Sequence, residues 1–136
     1  MVSMHWRHND DTLIGSLGIS LVEEPVDGVF MATMPVDNRT CQNYGILSGG
    51  ATIALAETLA GYASYKNCPP SHVPCGIQVT ANHVNMARFG ALVTAKARQV
   101  KVGRTMHVWD VEVFDEENLL ISKISVTNMI IEKKFY

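Results

Sequence analysis

The sequence predicts an α+β fold: one long central helix wrapped by a curved antiparallel sheet of about six strands. Three observations predict it. The first is SGGATIALAETLAGYASY, from Ser48 to Tyr65, which reads as a helix carrying a single charge, Glu57; a helix apolar on every side expects to be buried. The second is a run of four extended segments after it, near 76–86, 91–101, 104–114 and 119–131, separated by ARFG, KVG and DEEN. Such short separators suit hairpins and so a meander of antiparallel neighbours. The third is a pair of strands before the helix, GISLVEE and VFMATMPV, joined at Asp27-Gly28, a strong tight-turn dipeptide. The helix then has one place to go, the concave face of the sheet.

Each element follows in order. DDTLIGSLG, at 10–18, allows a short helix capped by an Asp, and DNRTCQNYG, at 37–45, is polar and turn-rich, hence a loop. The long helix begins near Ser48 and ends before Pro69-Pro70. CPPSHVPC brings Cys68, His72 and Cys75 together with ligand-like spacing. It has no evident fourth ligand and no C-x-x-C pair, so we read a proline-stiffened surface turn and no metal. In VWDVEVF, Asp110 and Glu112 face one way and Trp109, Val111 and Val113 the other.

At 136 residues the chain fits one domain, 1–136, able to bury a core. It is 47% hydrophobic and 18% charged, with a net charge of -2, which favours an ordered globular protein over a disordered one. Scattered basic residues and a near-neutral balance give no support for nucleic-acid binding. No run approaches the ~20 apolar residues that span a bilayer, so no membrane partner is expected. The N-terminus, MVSMHWRHNDD, lacks the apolar stretch of a signal peptide. Three cysteines cannot all pair within one chain, which suits a reducing compartment; a cytoplasmic location is the expectation.

One set of residues goes further. YGILSGGATIALAETLAG, preceded by PVDNRTCQ and followed by KVGRTMHVWDVEVFDEENLLIS, resembles the hotdog-fold acyl-CoA thioesterases. The branch it is most similar to includes phenylacetate-pathway and enterobactin-proofreading thioesterases. The resemblance runs from about Leu17 to Ile130. Its most specific part is the Gly49-Gly50 pair followed by LAET, in combination with the later GR and V-x-V-x-D pattern.

The chemistry wants these residue types. Attack on a thioester puts negative charge on the carbonyl oxygen, and the first turn of a helix offers unpaired N–H groups with positive partial charge. Gly49 and Gly50 leave that backbone open to a carbonyl. The resemblance implies that the Gly49 amide is the oxyanion donor, with Gly50 beside it. A Glu57 desolvated in an apolar groove has its pKa raised and becomes a base near neutrality. In the family this residue activates water or attacks the thioester directly, and both remain open here. Gly49 and Glu57 are eight residues apart, ~12 Å along a helix, so one small thioester cannot touch both within one subunit. If both act on it, two helices must run antiparallel, Glu57 of one beside Gly49 of the other, which requires a two-fold dimer.

The resemblance also implies roles for other residues. Gln42, in the loop before the helix, would touch the acyl carbonyl or the water. His83 would line the groove beside the pantetheine arm, flanked by Val84, Asn85 and Met86, with Gly76 at the start of that strand. Lys101, Val102, Gly103 and Arg104 sit at a hairpin where the family meets coenzyme A, and the two cations could pair its phosphates. Two positions depart from the family. Ser48 stands where a His usually precedes the glycines, and serine is a good helix N-cap. Gly61 stands one turn after Glu57, where relatives often carry a hydroxyl; it loses a hydrogen-bonding partner for water or makes room for a bulkier acyl group.

These readings lead to an acyl-CoA thioesterase that hydrolyses an acyl- or aroyl-CoA to free acid and CoA. It needs no cofactor, since CoA arrives with the substrate, and it works as a homodimer or a dimer of dimers. The alternative is a hotdog module that binds acyl-CoA without turning it over, which Ser48 and Gly61 favour and Glu57 opposes. A hotdog dehydratase is weaker, because Ser48 vacates the position of the His such sites rely on.

Overall fold

The structure is a computed structural model that describes residues 7–133. The stretch through Trp6, part of the N-terminus read above as lacking a signal peptide, lies outside the described residues. After a 3-10 turn at Asn9–Asp11 come α1 (Leu13–Ser16), β1 (Ser20–Leu21), β2 (Phe30–Pro35), α2 (Gly49–Asn67), β3 (His72–His83), β4 (Leu92–Val102), β5 (Met106–Phe114) and β6 (Leu120–Glu132). The strands form one antiparallel sheet in the order β1-β2-β4-β5-β6-β3, curled around α2, the hotdog architecture. Among the described residues no helix is long and apolar enough to cross a membrane.

Local chemistry sets the boundaries. The Ser48 side chain accepts from Ala51 N at 3.4 Å and caps α2, which stops at Cys68 before the paired prolines. Asp27 and Gly28 both take positive φ, as the two-residue hairpin turn requires. Three expectations are corrected. The first short helix is capped by Thr12, whose hydroxyl accepts from Ile14 N, and not by an Asp. The strand expected over GISLVEE is only two residues long, because Pro25 and the turn at Asp27 end it. The turn expected at CPPSHVPC is partly strand: β3 begins at His72 and takes in Cys75.

A larger correction concerns the meander. β4, β5 and β6 do follow one another, but β3 pairs with β6 at the far edge while β4 pairs with β2. The segment containing ARFG is therefore a crossover past the ends of β6 and β5, a span of ~14 Å at ~4.8 Å per strand. Tertiary bonds hold it there. Leu47 N donates to Ala87 O at 2.9 Å and Val36 N to Ala91 O at 2.8 Å, so the crossover is pinned against the N-terminal end of α2.

Helix α2 buries Thr52, Leu55, Ala56, Leu59, Ala60, Ala63 and Ser64, a stripe at helical spacing. Its alanines let the sheet come close, and Met34, Trp109, Val111, Val113, Ile124 and Val126 close over it. The expectation of burial on every side is corrected too. The opposite face, with Gly50, Ile53, Ala54 and Glu57, stays open, and Glu57 is exposed in the single chain.

One polar knot ties helix to sheet. Ser64 Oγ accepts from Trp109 Nε1 at 2.8 Å and from Asn128 Nδ2 at 2.9 Å. With both lone pairs taken it donates to His107 Nδ1, 2.9 Å away. All four residues are buried, and satisfied polar groups of this kind fix one packing of helix on sheet.

Candidate active site

Gly49 is the first residue of α2, and neither its N–H nor that of Gly50 has a hydrogen-bond partner among the described residues. Two free donors at the positive end of a nineteen-residue helix form a site for developing negative charge. A Cβ on Gly49 would lie 2.8 Å from His83 Nε2. The imidazole covers that face of the helix terminus, so the position must stay glycine. Both residues line a cavity of 330 Å³ with Gln42, Val84, Asn85 and Met86. The structure thus brings together six of the sequence-derived candidates from a loop, a helix start and a strand end.

Ser122, which the sequence reading missed, completes this corner. It is fully buried on β6, directly across from His83, and its Oγ lies 2.7 Å from His83 Nδ1. The hydroxyl has no other partner among the described residues. A buried O–H has to donate, which makes Nδ1 the acceptor and leaves the imidazole proton on Nε2, the nitrogen facing Gly49.

Glu57 lies elsewhere. Its carboxylate rests against the α-carbon of Gly76 on β3, so any side chain at Gly76 would collide with it. Asn128 lies behind, its Oδ1 3.5 Å from where a Gly76 Cβ would stand. The ladder between β3 and β6 slips between Gly76 and Gln78, a bulge of the kind that re-aims a strand beside a site. Glu57 shares an open hollow of 390 Å³ with Gly50, Ile53, Ala54 and Thr58. The apolar groove expected to desolvate it is not closed within one chain. Ser48 serves as the helix cap.

The KVGR hairpin is also separate from the Gly49 cavity. Val102, His107, Asn128 and Gly76 form one row across the sheet, whereas His83 and Ser122 form another. The two rows are seven residues apart on β3, ~23 Å. Lys101 and Arg104 are exposed at the Gly76 end, and neither forms an ion pair among the described residues. Gly103 N donates to Met106 O at 2.9 Å, which closes the hairpin. In a single chain, then, Gly49 with His83 and the Glu57 carboxylate open into different spaces.

Comparison with known proteins agrees with this architecture. Residues 44–122 match the model of the thioesterase superfamily. The chain is 46% identical to an esterase of Pseudomonas aeruginosa over 67% of its length and 63% of the relative's. It is 35% identical to the 1,4-dihydroxy-2-naphthoyl-CoA hydrolase of Escherichia coli over 90% of this chain and 88% of that one. A thioesterase crystal structure from Haemophilus influenzae superposes with a TM-score of 0.87 at 34% identity, covering 92% of this chain and 86% of the other.

Proposed function

We propose a mechanism from this premise: the chain belongs to the thioesterase superfamily, and it is a thioester hydrolase. Its substrate is an acyl- or aroyl-thioester of coenzyme A, cleaved to free acid and CoA, with two copies of the chain building each active site. The carrying observation is the separation described above. Gly49 and Glu57 stand eight residues apart on one helix and open into different cavities, so a single carbonyl meets both only when Glu57 comes from a second copy.

In that arrangement the carbonyl oxygen lies at the free N–H of Gly49, with His83 Nε2–H as a second donor. Glu57 of the facing copy supplies the attacking oxygen, its own or that of a water it deprotonates. Collapse of the tetrahedral intermediate expels the CoA thiolate, leaving the free acid where water attacked, or a mixed anhydride on Glu57 that water then hydrolyses to the free acid and the restored carboxylate; no metal or organic cofactor is called for. Lys101 and Arg104 offer cations to the phosphates of CoA. A CoA thioester as substrate draws support from the Escherichia coli relative, which is named for one. The second copy draws support from β3, an edge strand of twelve residues with Ile77 56% exposed; a long open edge of this kind asks for a covering partner.

The test is Glu57→Gln assayed for thiol release across acyl- and aroyl-CoA substrates. The carboxamide keeps the size and removes the base, so kcat falls by roughly 10²–10⁴ with KM little changed. If wild type and variant turn over every thioester equally slowly while both bind CoA, the chain is an acyl-CoA-binding module.

A further inference from the structure

Asn128 stands beside Glu57 and has no part in the mechanism above. It is 1% exposed and pairs with Gly76 across the β3–β6 ladder. Its amide has a fixed orientation. Nδ2 donates to Ser64 Oγ at 2.9 Å and to Ala60 O at 3.2 Å. A backbone carbonyl only accepts, so the nitrogen is the atom on the helix side, and Oδ1 is left toward Gly76.

Oδ1 receives no donor among the described residues. Yet no buried side-chain nitrogen or oxygen among them lacks a partner, so Oδ1 is not sealed in the core and reaches accessible space. Gly76 provides that space. The volume a Cβ would fill there is bordered by Glu57 Oε1 and, at 3.5 Å, by Asn128 Oδ1. The missing side chain thus serves twice: it admits the carboxylate and it uncovers the amide oxygen. Neither an ionised carboxylate nor an amide carbonyl has a proton to give the other. What satisfies both at once is a molecule with two donors, and water is one.

We propose that Asn128 is a positioning residue whose Oδ1, together with Glu57, orients the water that attacks the thioester. The inference rests on the thioesterase reading and, of the two roles left open there, makes Glu57 the base. One water proton passes to Glu57 as the water oxygen bonds to the acyl carbon. The other stays on that oxygen and is donated to Asn128 Oδ1, which turns the attacking lone pair toward the carbonyl. When the C–S bond breaks, its electron pair leaves on sulfur and the proton on Glu57 passes to the thiolate, giving free acid and CoA. An amide suits this place because it accepts a hydrogen bond without competing for the proton; a second carboxylate would compete. A water bonded to the base alone can rotate, and a misplacement of about 1 Å costs roughly 10² in rate.

The experiment compares wild type, Asn128→Leu and Ser64→Ala. Leucine keeps the volume and removes the acceptor. Ser64→Ala loosens the same polar knot but leaves Oδ1 in place, since Ala60 O still holds the amide. Thermal melts verify folding, and Asn128→Ala replaces the leucine variant if that one does not melt cooperatively. The substrate is whichever of acetyl-, octanoyl- and benzoyl-CoA wild type cleaves fastest. Asn128→Leu is expected to lower kcat at least about tenfold with KM within about threefold, and Ser64→Ala to keep kcat within about threefold. A single turnover of wild type in oxygen-18 water is expected to label the product acid and not Glu57. An unchanged kcat in Asn128→Leu, a loss confined to KM, or an equal loss in Ser64→Ala would overturn the role of Asn128 while leaving the hydrolase intact. So would an unlabelled acid with the label on Glu57, which would make the attacking oxygen Glu57's own. A wild type that cleaves none of the three thioesters fails at the earlier step and takes this inference with it.

Discussion

Ser122 and His83 are thirty-nine residues apart in the chain, and only the β3–β6 register makes them neighbours. Glu57 and Gly49 stand out in the sequence because each is an unusual residue for its surroundings, a lone charge and a paired glycine, whereas His83 is singled out only by the resemblance. Ser122 and Asn128 sit in ordinary strand sequence, and the signal that would have found them, cross-strand pairing, is set by the whole sheet and by a bulge at Gly76. The same holds for Gly76, whose reason for being glycine is the Glu57 carboxylate above it. The Ser122 hydroxyl carries a testable consequence. Ser122→Ala should leave the fold intact and let the His83 proton move between the two nitrogens, lowering kcat by about three- to tenfold, since one hydrogen bond is worth ~0.5–1.5 kcal/mol. Nitrogen-15 chemical shifts of the imidazole would register the change from the Nε2–H tautomer to a mixture. In a His83→Ala background the same substitution should do nothing further; additive losses would assign Ser122 to packing alone.

At the scale of elements, α2 and the β4–β5–β6 meander were legible because their signals are local: an N-cap serine, a proline pair, alternation of Trp109, Val111 and Val113 with acidic residues. The place of β3 was not. A short connector argues for a hairpin, and here backbone bonds from Val36 and Leu47 hold the connector as a crossover instead. The helix was read correctly in extent and wrongly in burial, because an apolar face left open for something else looks the same in sequence as one packed on the core. The knot at Ser64 that joins α2 to β5 and β6 predicts how this packing responds to pH. Burial holds the His107 pKa below the ordinary imidazole value, although the bond to the Gly103 backbone pulls the other way. A group whose folded pKa is depressed contributes stability that is whole above its unfolded pKa, ~6.5. That contribution is lost as pH falls from there through the folded value. A proton on Nδ1 would also face a Ser64 oxygen whose lone pairs are already engaged. Denaturation midpoints should therefore decline as pH drops below about 6.5, with the His107 C2–H resonance titrating below the ordinary imidazole value. A His107 that titrates at or above that value would contradict the assignment.

The whole molecule poses a problem its parts do not. One chain supplies a Gly49 corner walled by Gln42 and His83 and, on another side of the same helix, a carboxylate over Gly76. Each half is well built and neither contains the other. The open face of α2 and the uncovered edge of β3 adjoin one another through the Glu57–Gly76 contact. A second copy related by a two-fold axis along that edge would cover both and repeat the same completion on its own side, giving two equivalent sites. The protein should accordingly sediment as a dimer, or as a dimer of dimers, at concentrations where it is active. A sharper check mixes two inactive variants, Glu57→Gln and a Gly49→Val whose side chain would strike the His83 imidazole. Hybrid dimers carry both lesions in one of their sites and neither in the other. Random exchange puts about half the molecules in hybrids, so about a quarter of wild-type activity should return on mixing. If neither parent regains activity after exchange, or if an active monomer is found, Gly49 and Glu57 do not serve one carbonyl across two chains.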